Sequence, residues 1–222
     1  MTSIPNPFGA YKNRHARQSA ILFGSGPTIR TFKTGKNIVK VGLNEQIYLD
    51  LDLDYWFMGD TFPRNPAKFI NCFEDYNEYK PNLTKFIRYQ TWGERGRMPL
   101  GMKHTTYYTC SLGGIPDTCL FEEDISEGSL VGVASISFEA LQFMLYAGIK
   151  NIYLVGHDCD YSFGTFRTEI DHKAEGILVL RYWKMVKAWI EEHYPDVTLY
   201  SIDPVALDIF ECVKEKDIIE NE

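Results

Sequence analysis

With 222 residues, 45% of them hydrophobic and 24% charged, the chain is long enough to bury a core of its own and too apolar to stay disordered. Its net charge of -7 and pI near 5.3 exclude the broad basic face that nucleic acid or an anionic membrane would require. Five cysteines, Cys72, Cys110, Cys119, Cys159 and Cys212, are widely spaced with no Cys-x-x-Cys pair. Neither a disulfide framework nor a zinc knuckle is indicated, and reduced thiols in a cytoplasmic setting fit the count.

Residues 1–18 are polar, carry Lys12, Arg14, His15 and Arg17, and have no apolar stretch behind them. They read as an extended lead-in and not as a signal peptide. No apolar run approaches the ~20 residues needed to span a bilayer, so any membrane contact is expected to be peripheral. Residues 20–23 form a continuous apolar run, the mark of a strand covered on both faces in a parallel sheet. The run feeds directly into Gly24-Ser25-Gly26-Pro27-Thr28. Glycines there leave room for a tight turn or an approaching ligand, and the amides that follow can face an anion at a helix start. A plain surface turn would use the same residues.

A brief helical turn is expected at 29–32 and a second strand at 37–43, ending on Asn44. Asn44 reads either as a ligand group at the carboxyl end of a strand or as the cap of a turn. Asp50, Asp52 and Asp54 alternate with Leu49, Leu51 and Leu53 and lack the glycine and glutamate of a calcium loop, so they read as a charged outer face. Residues 55–58 are a third strand with Asp60 just beyond it; 63–79 read as a helix and 85–89 as a strand. From 91 to 128, glycines punctuate a run holding Trp92, Arg95, Arg97, Tyr107 and Tyr108. That stretch reads as an irregular lid or acceptor-site insertion.

Ser135 and Ser137 stand at the start of a helix whose Phe138, Leu141 and Leu145 share a face and which Gly148 ends. The clearest strand follows at 151–155 and stops at Gly156, His157 and Asp158, completing an α/β crossover unit. Residues 174–193 form a long amphipathic helix with a core stripe of Val179, Tyr182, Trp183, Val186, Trp189 and Ile190. A strand at 197–202, a short helix from Asp203-Pro204 to 210 and a solvated tail at 214–222 complete the chain. The fold expected is α/β: a single Rossmann-like domain over 1–222, with a mostly parallel sheet and helices on both faces.

The Gly24 to Thr28 loop, Asn44 after a strand, and 135–161 with its Ala-Gly-Ile-Lys-Asn-Ile-Tyr-Leu-Val-Gly-His-Asp run resemble the bacterial CMP-sialic-acid-dependent sialyltransferases of the forty-second glycosyltransferase family. They are also similar to a broader Rossmann-like group that includes archaeal pterin pyrophosphokinases. The resemblance covers about two thirds of the chain and is poor over 61–128. It implies a nucleotide site at Gly24, Ser25, Gly26, Pro27, Thr28, Asn44, Ser135, Ser137, Gly156 and Asp158. It implies a phosphate contact from Tyr161 and a general base at His172. Ser25 stands where the family has asparagine, the family's Thr-Ser-Gly triplet is not reproduced at 135–137, and Phe166 falls near a second tyrosine.

The expected function is accordingly transfer of a sugar, sialic acid or a relative, from a nucleotide-sugar donor to a hydroxyl of a glycan acceptor, without a metal or other cofactor. Histidine titrates near neutral pH and suits the base, with His157 as the rival of His172; tyrosine and amides can hold the leaving phosphate. One alternative is a pyrophosphokinase of the pterin type, with magnesium held by Asp60 and Asp158. Another is a nucleotide-binding module without catalysis, and a methyltransferase ranks below both. Oligomeric state is left open.

Overall fold

The computed structural model describes residues 7–32, 37–44, 46, 49, 51–59, 82–88, 104–112, 117–133, 135–160 and 173–219. Its centre is a parallel sheet built from β1 (Ser19–Phe23), β2 (Val39–Leu43), β3 (Tyr55–Met58), β4 (Thr84–Arg88), β5 (Thr105–Tyr108), β8 (Asn151–Val155), β9 (Thr198–Ile202) and β10 (Glu211–Val213). The strand order is β10-β9-β8-β1-β2-β3-β4-β5. Two short strands, β6 (Cys110–Leu112) and β7 (Leu130–Gly132), pair in parallel beside it. The helices are α1 (Ser137–Tyr146), α2 (Lys173–His193) and α3 (Glu215–Ile219). This is a Rossmann-like α/β arrangement.

Continuous apolar strands are required because both faces of the sheet are covered. Ala20, Leu22, Val41, Phe57, Phe86, Ile152 and Leu154 pack on one face with α1 and with Val179, Tyr182, Trp183 and Val186 of α2. Ile21, Phe23, Trp56, Met58, Ile87, Val155 and Ile202 pack on the other, with Ile29, Leu51, Leu53 and Ile218 of α3. Every residue of α1 is buried, its Glu139 and Gln142 included. Gln142 resolves its burial by matching strand β7 edge to edge: its Oε1 accepts from Val131 N at 3.0 Å and its Nε2 donates to Val131 O at 2.8 Å. Among the described residues no helix is long and apolar enough to cross a membrane.

Several elements match their expected bounds. Strands β1, β3 and β8 lie where the apolar runs put them, and α2 buries the anticipated stripe with Trp189 at its margin. Leu51 and Leu53 are buried and Asp52 and Asp54 exposed. Gly148, at φ 84°, ends α1 in the left-handed region that favours glycine. The helix expected over 63–79 lies outside the described residues.

Other parts differ. The lead-in is not merely extended: Phe8–Tyr11 makes a 3-10 turn, and Phe8 enters the core against Phe86, Tyr108 and Phe143. Beyond it, the amides of Asn13, His15 and Arg17 donate to the carbonyls of Tyr146, Ala147 and Gly148 at 3.0, 2.8 and 3.2 Å, satisfying the exposed end of α1. Residues 203–210 are not helical. Asp203 sits at φ 43°, Ala206 N donates to Asp158 O at 2.8 Å, and Ser201 Oγ donates to Leu207 O at 2.8 Å. These groups bond to neighbouring strands and loops in place of a helical ladder. The segment expected as a solvated tail contains α3, whose Ile218 is buried. Within 91–128, expected to be irregular, lie β5 and β6.

Candidate functional site

The sheet order places β1 beside β8, with Phe23 opposite Val155. From β1 the chain moves outward to β2, and from β8 it moves the other way to β9. Diverging connections of this kind leave a crevice outside the carboxyl ends of the two strands, the usual ligand position in open α/β sheets. The two loops singled out in the sequence, 24–28 and 156–158, are the loops that meet there.

Their meeting is close. Gly24 N donates to Val155 O and Gly26 N to Gly156 O, each at 2.7 Å. A Cβ on Gly24 would lie 2.4 Å from Gly156 O, and one on Gly26 would lie 2.3 Å from Asp158 Oδ2. The glycines are therefore needed for loop-on-loop packing. Asp158 supplies an internal anion at the start of the 3-10 turn Pro27–Thr31, accepting from Thr28 Oγ1 at 2.6 Å and from Thr28 N at 3.3 Å. Burial pushes the Asp158 carboxyl above its ordinary value; the two Thr28 bonds oppose this and the Asp160 charge adds to it.

Asn44 ends β2 at φ 38°. Its Oδ1 accepts from Gly59 N and its carbonyl from Trp56 Nε1, both at 3.0 Å, so it ties the end of β2 to the end of β3. Gly156, Cys159 and Asp203 are also left-handed, at 69°, 53° and 43°. Left-handed backbone occurs at the carboxyl ends of β2, β8 and β9, and also away from this rim at Asn13, Arg17, His104 and Gly148.

His157 lies inside the rim at 9% exposure, edge-on to Trp183 with ring centroids 5.7 Å apart. Burial lowers its pKa to about 4, while a hydrogen bond to the Leu22 backbone acts in the other direction. The ring is neutral at neutral pH. Its Nε2 and Trp183 Nε1 are buried without a partner among the described residues. Ser135 and Ser137 bond each other, Oγ to Oγ at 2.9 Å, and Ser135 Oγ accepts from Ser137 N at 3.3 Å, but the cap of α1 is Ile136 and no serine side chain caps the helix. Tyr161, Phe166, His172 and Asp60 lie outside the described residues. Among the described residues no three His, Cys, Asp or Glu side chains converge as metal ligands.

Two features escaped the sequence reading. Gln46, fully buried, accepts from Leu43 N at 2.6 Å and donates to Gly24 O at 2.8 Å and Ser25 Oγ at 3.1 Å, joining the ends of β1 and β2. Glu139 in the first turn of α1 is also fully buried; it pairs with Arg88 Nη2 at 3.1 Å and accepts from Tyr108 Oη. Burial, followed by the Glu139 charge, pushes Tyr108 well above its ordinary value and Cys110 up to about 12. Arg88 Nη2 would lie 1.9 Å from a Cβ on Gly59, so the guanidinium rests on the end of β3. A single charged residue in the run Ser137–Tyr146 was the available signal for this cluster.

No protein-family model matches the chain, and no curated protein matches it. Solved structures similar to it include the sialyltransferase CST-II in complex with trisaccharide acceptor and CMP. It aligns at TM-score 0.44 and 10% identity over 83% of this chain and 80% of that one. The sialyltransferase CstII from Campylobacter jejuni aligns with a TM-score of 0.43 at 10% identity in its complex with cytidine-5'-monophosphate, over 84% and 80% of the two chains. In its complex with CMP-3FNeuAc the TM-score is 0.41 at 12% identity, over 83% and 79%.

Proposed function

We propose that the chain binds a nucleotide sugar at the carboxyl rim of β8, β1 and β2 and transfers the sugar to a glycan hydroxyl. The observation that carries this reading is the convergence of the 24–28 and 156–158 loops at the point where the strand order reverses. The order of motifs along the chain, which resembles that of the CMP-sialic-acid-dependent sialyltransferases, supports the choice of donor class.

In the reaction, the acceptor hydroxyl attacks the anomeric carbon, its proton passes to a base, and the bond to the nucleotide phosphate breaks. His172 is assigned as the base. His157, with a pKa near 4 and nine-tenths of its surface covered, is too weak and too enclosed to reach an acceptor, and is assigned to packing against Trp183. Tyr161 is assigned to the leaving phosphate. No metal is required in this scheme.

A thermal-shift panel of CMP, UMP, GDP, ATP and their sugar conjugates, with and without magnesium, tests the reading. A cytidine nucleotide is expected to raise the melting temperature without magnesium. With CMP-sialic acid as donor, His172→Ala should lower turnover by roughly 10²-fold or more while donor still binds. Binding of ATP alone, and only with magnesium, would favour pyrophosphoryl transfer. Binding without turnover, unaffected by His172→Ala, would leave a nucleotide-binding module.

A further inference from the structure

The loop after β1 holds fewer outward donors than its sequence suggests. Gly24 N, Gly26 N and Thr28 N all donate within the protein, and Pro27 has no N–H. Ser25 is the exception: among the described residues neither its amide hydrogen nor its hydroxyl hydrogen has an acceptor in the protein. Ser25 is half-buried, in the loop that follows β1 at its carboxyl end.

The direction of that hydroxyl hydrogen follows from Gln46. The backbone N–H of Leu43 can only donate, so the Gln46 oxygen must face it; the carbonyl of Gly24 can only accept, so the Gln46 amide hydrogens must face that side. The same NH2 group lies 3.1 Å from Ser25 Oγ, so Ser25 accepts there and its own hydrogen points elsewhere. Full burial of Gln46 and its two backbone bonds prevent the amide from turning over. The Asp158 carboxylate, packed on Gly26, repels an anion from that side of the loop and leaves the Ser25 side as the favoured one.

Resting on the nucleotide-sugar reading above, we infer that Gln46 is a positioning residue that turns Ser25 into a double donor, through its N–H and its hydroxyl, for one anionic phosphate oxygen of the bound donor. Gln46 then has a part beyond structure, and the phosphate contact comes from one residue in place of a general amide cradle.

Calorimetric titration of the full chain with CMP, UMP, GDP and ATP, on wild type, Ser25→Ala, Gln46→Met and the double variant, tests it. Ser25→Ala should weaken the nucleotide that binds by roughly ten- to a hundredfold, the effect of one hydrogen bond to a charged group. Gln46→Met should weaken it several-fold in the wild-type background and hardly at all beside Ser25→Ala, because its effect passes through the hydroxyl. Ser25→Thr should retain affinity. Gln46→Glu, which keeps the Leu43 bond but draws the Ser25 hydrogen inward, should reproduce the loss and serves if Gln46→Met folds poorly. Wild-type binding with no loss in Ser25→Ala, or with independent losses in the two variants, overturns this inference and leaves the proposed function standing. No binding of any of the four nucleotides to wild type overturns both.

Discussion

The rim of the sheet holds two buried carboxylates in opposite ways. Over β8 and β1, Asp158 is satisfied by uncharged donors, the amide and hydroxyl of Thr28, and the surrounding loops are joined backbone to backbone. Over β4 and β5, Glu139 is matched by the Arg88 guanidinium and the Tyr108 hydroxyl. Neutral wiring of the first kind holds two loops together with no buried counter-charge. The ionic cluster instead ties the start of α1 to the sheet, and its energy depends on the pair being complete. Breaking a buried pair strands a charge where water cannot reach it, whereas loosening a neutral bond does not.

The largest effect expected from this contrast is at the ionic end. Glu139→Ala should destabilise the fold by about 3–5 kcal/mol in urea denaturation, since it breaks a buried ion pair. A loss below about 1 kcal/mol would show that the two ends of the rim are not energetically distinct.

His157 gives the next effect, and its sign is fixed. The folded pKa, about 4, lies below the ordinary 6.5, so between those values the unfolded chain binds the proton and the folded chain does not. This contribution is constant above about pH 7 and falls by about 3 kcal/mol as the pH drops from 6.5 to 4. His157→Asn, which keeps a donor for the Leu22 backbone but does not titrate, should lose that slope. Identical wild-type and variant stability curves across pH 4–7 would place the ring in water.

The smallest effect is expected at the loop contact. A Cβ on Gly26 would meet Asp158 Oδ2 at 2.3 Å and Gly156 O at 2.7 Å, so Gly26→Ala must separate the loops. A cost of about 1–3 kcal/mol is expected, the range for overpacking a closely packed site. The double variant with Asp158→Ala should recover part of it by removing the nearer contact. No recovery would assign the strain to the Gly156 carbonyl.

Residues that act through their own segment were readable in advance. Phe23 and Val155 end apolar runs that could only be strands, and Val179, Tyr182 and Trp183 recur at helical spacing. Asn44, considered both as a ligand and as a turn cap, holds Gly59, a bond made across two strands. Gln46 gave no sign, and Glu139 only that of a single charge in its helix, because their partners, Gly24 and Arg88, are distant in sequence. Phe8 was hidden in a polar segment whose amides bond to α1 well over a hundred residues away. The region 203–210 misled because Asp-Pro is a common helix opening, whereas here Asp203 takes the left-handed region and the chain runs on without a helix.

By itself the amino-acid order determined strands β1, β2, β3, β4, β8 and β9, the core stripe of α2 and the two glycine-containing loops, because apolar periodicity and the absence of a Cβ are properties of neighbouring residues. Only the tertiary structure decided that Gly24 and Gly26 serve contact between loops, that His157 is enclosed and neutral, and that Ser25 Oγ accepts from Gln46. Those outcomes depend on which distant group first satisfies each buried amide and carboxylate, and the partner is supplied by the sheet order and not by the adjacent sequence.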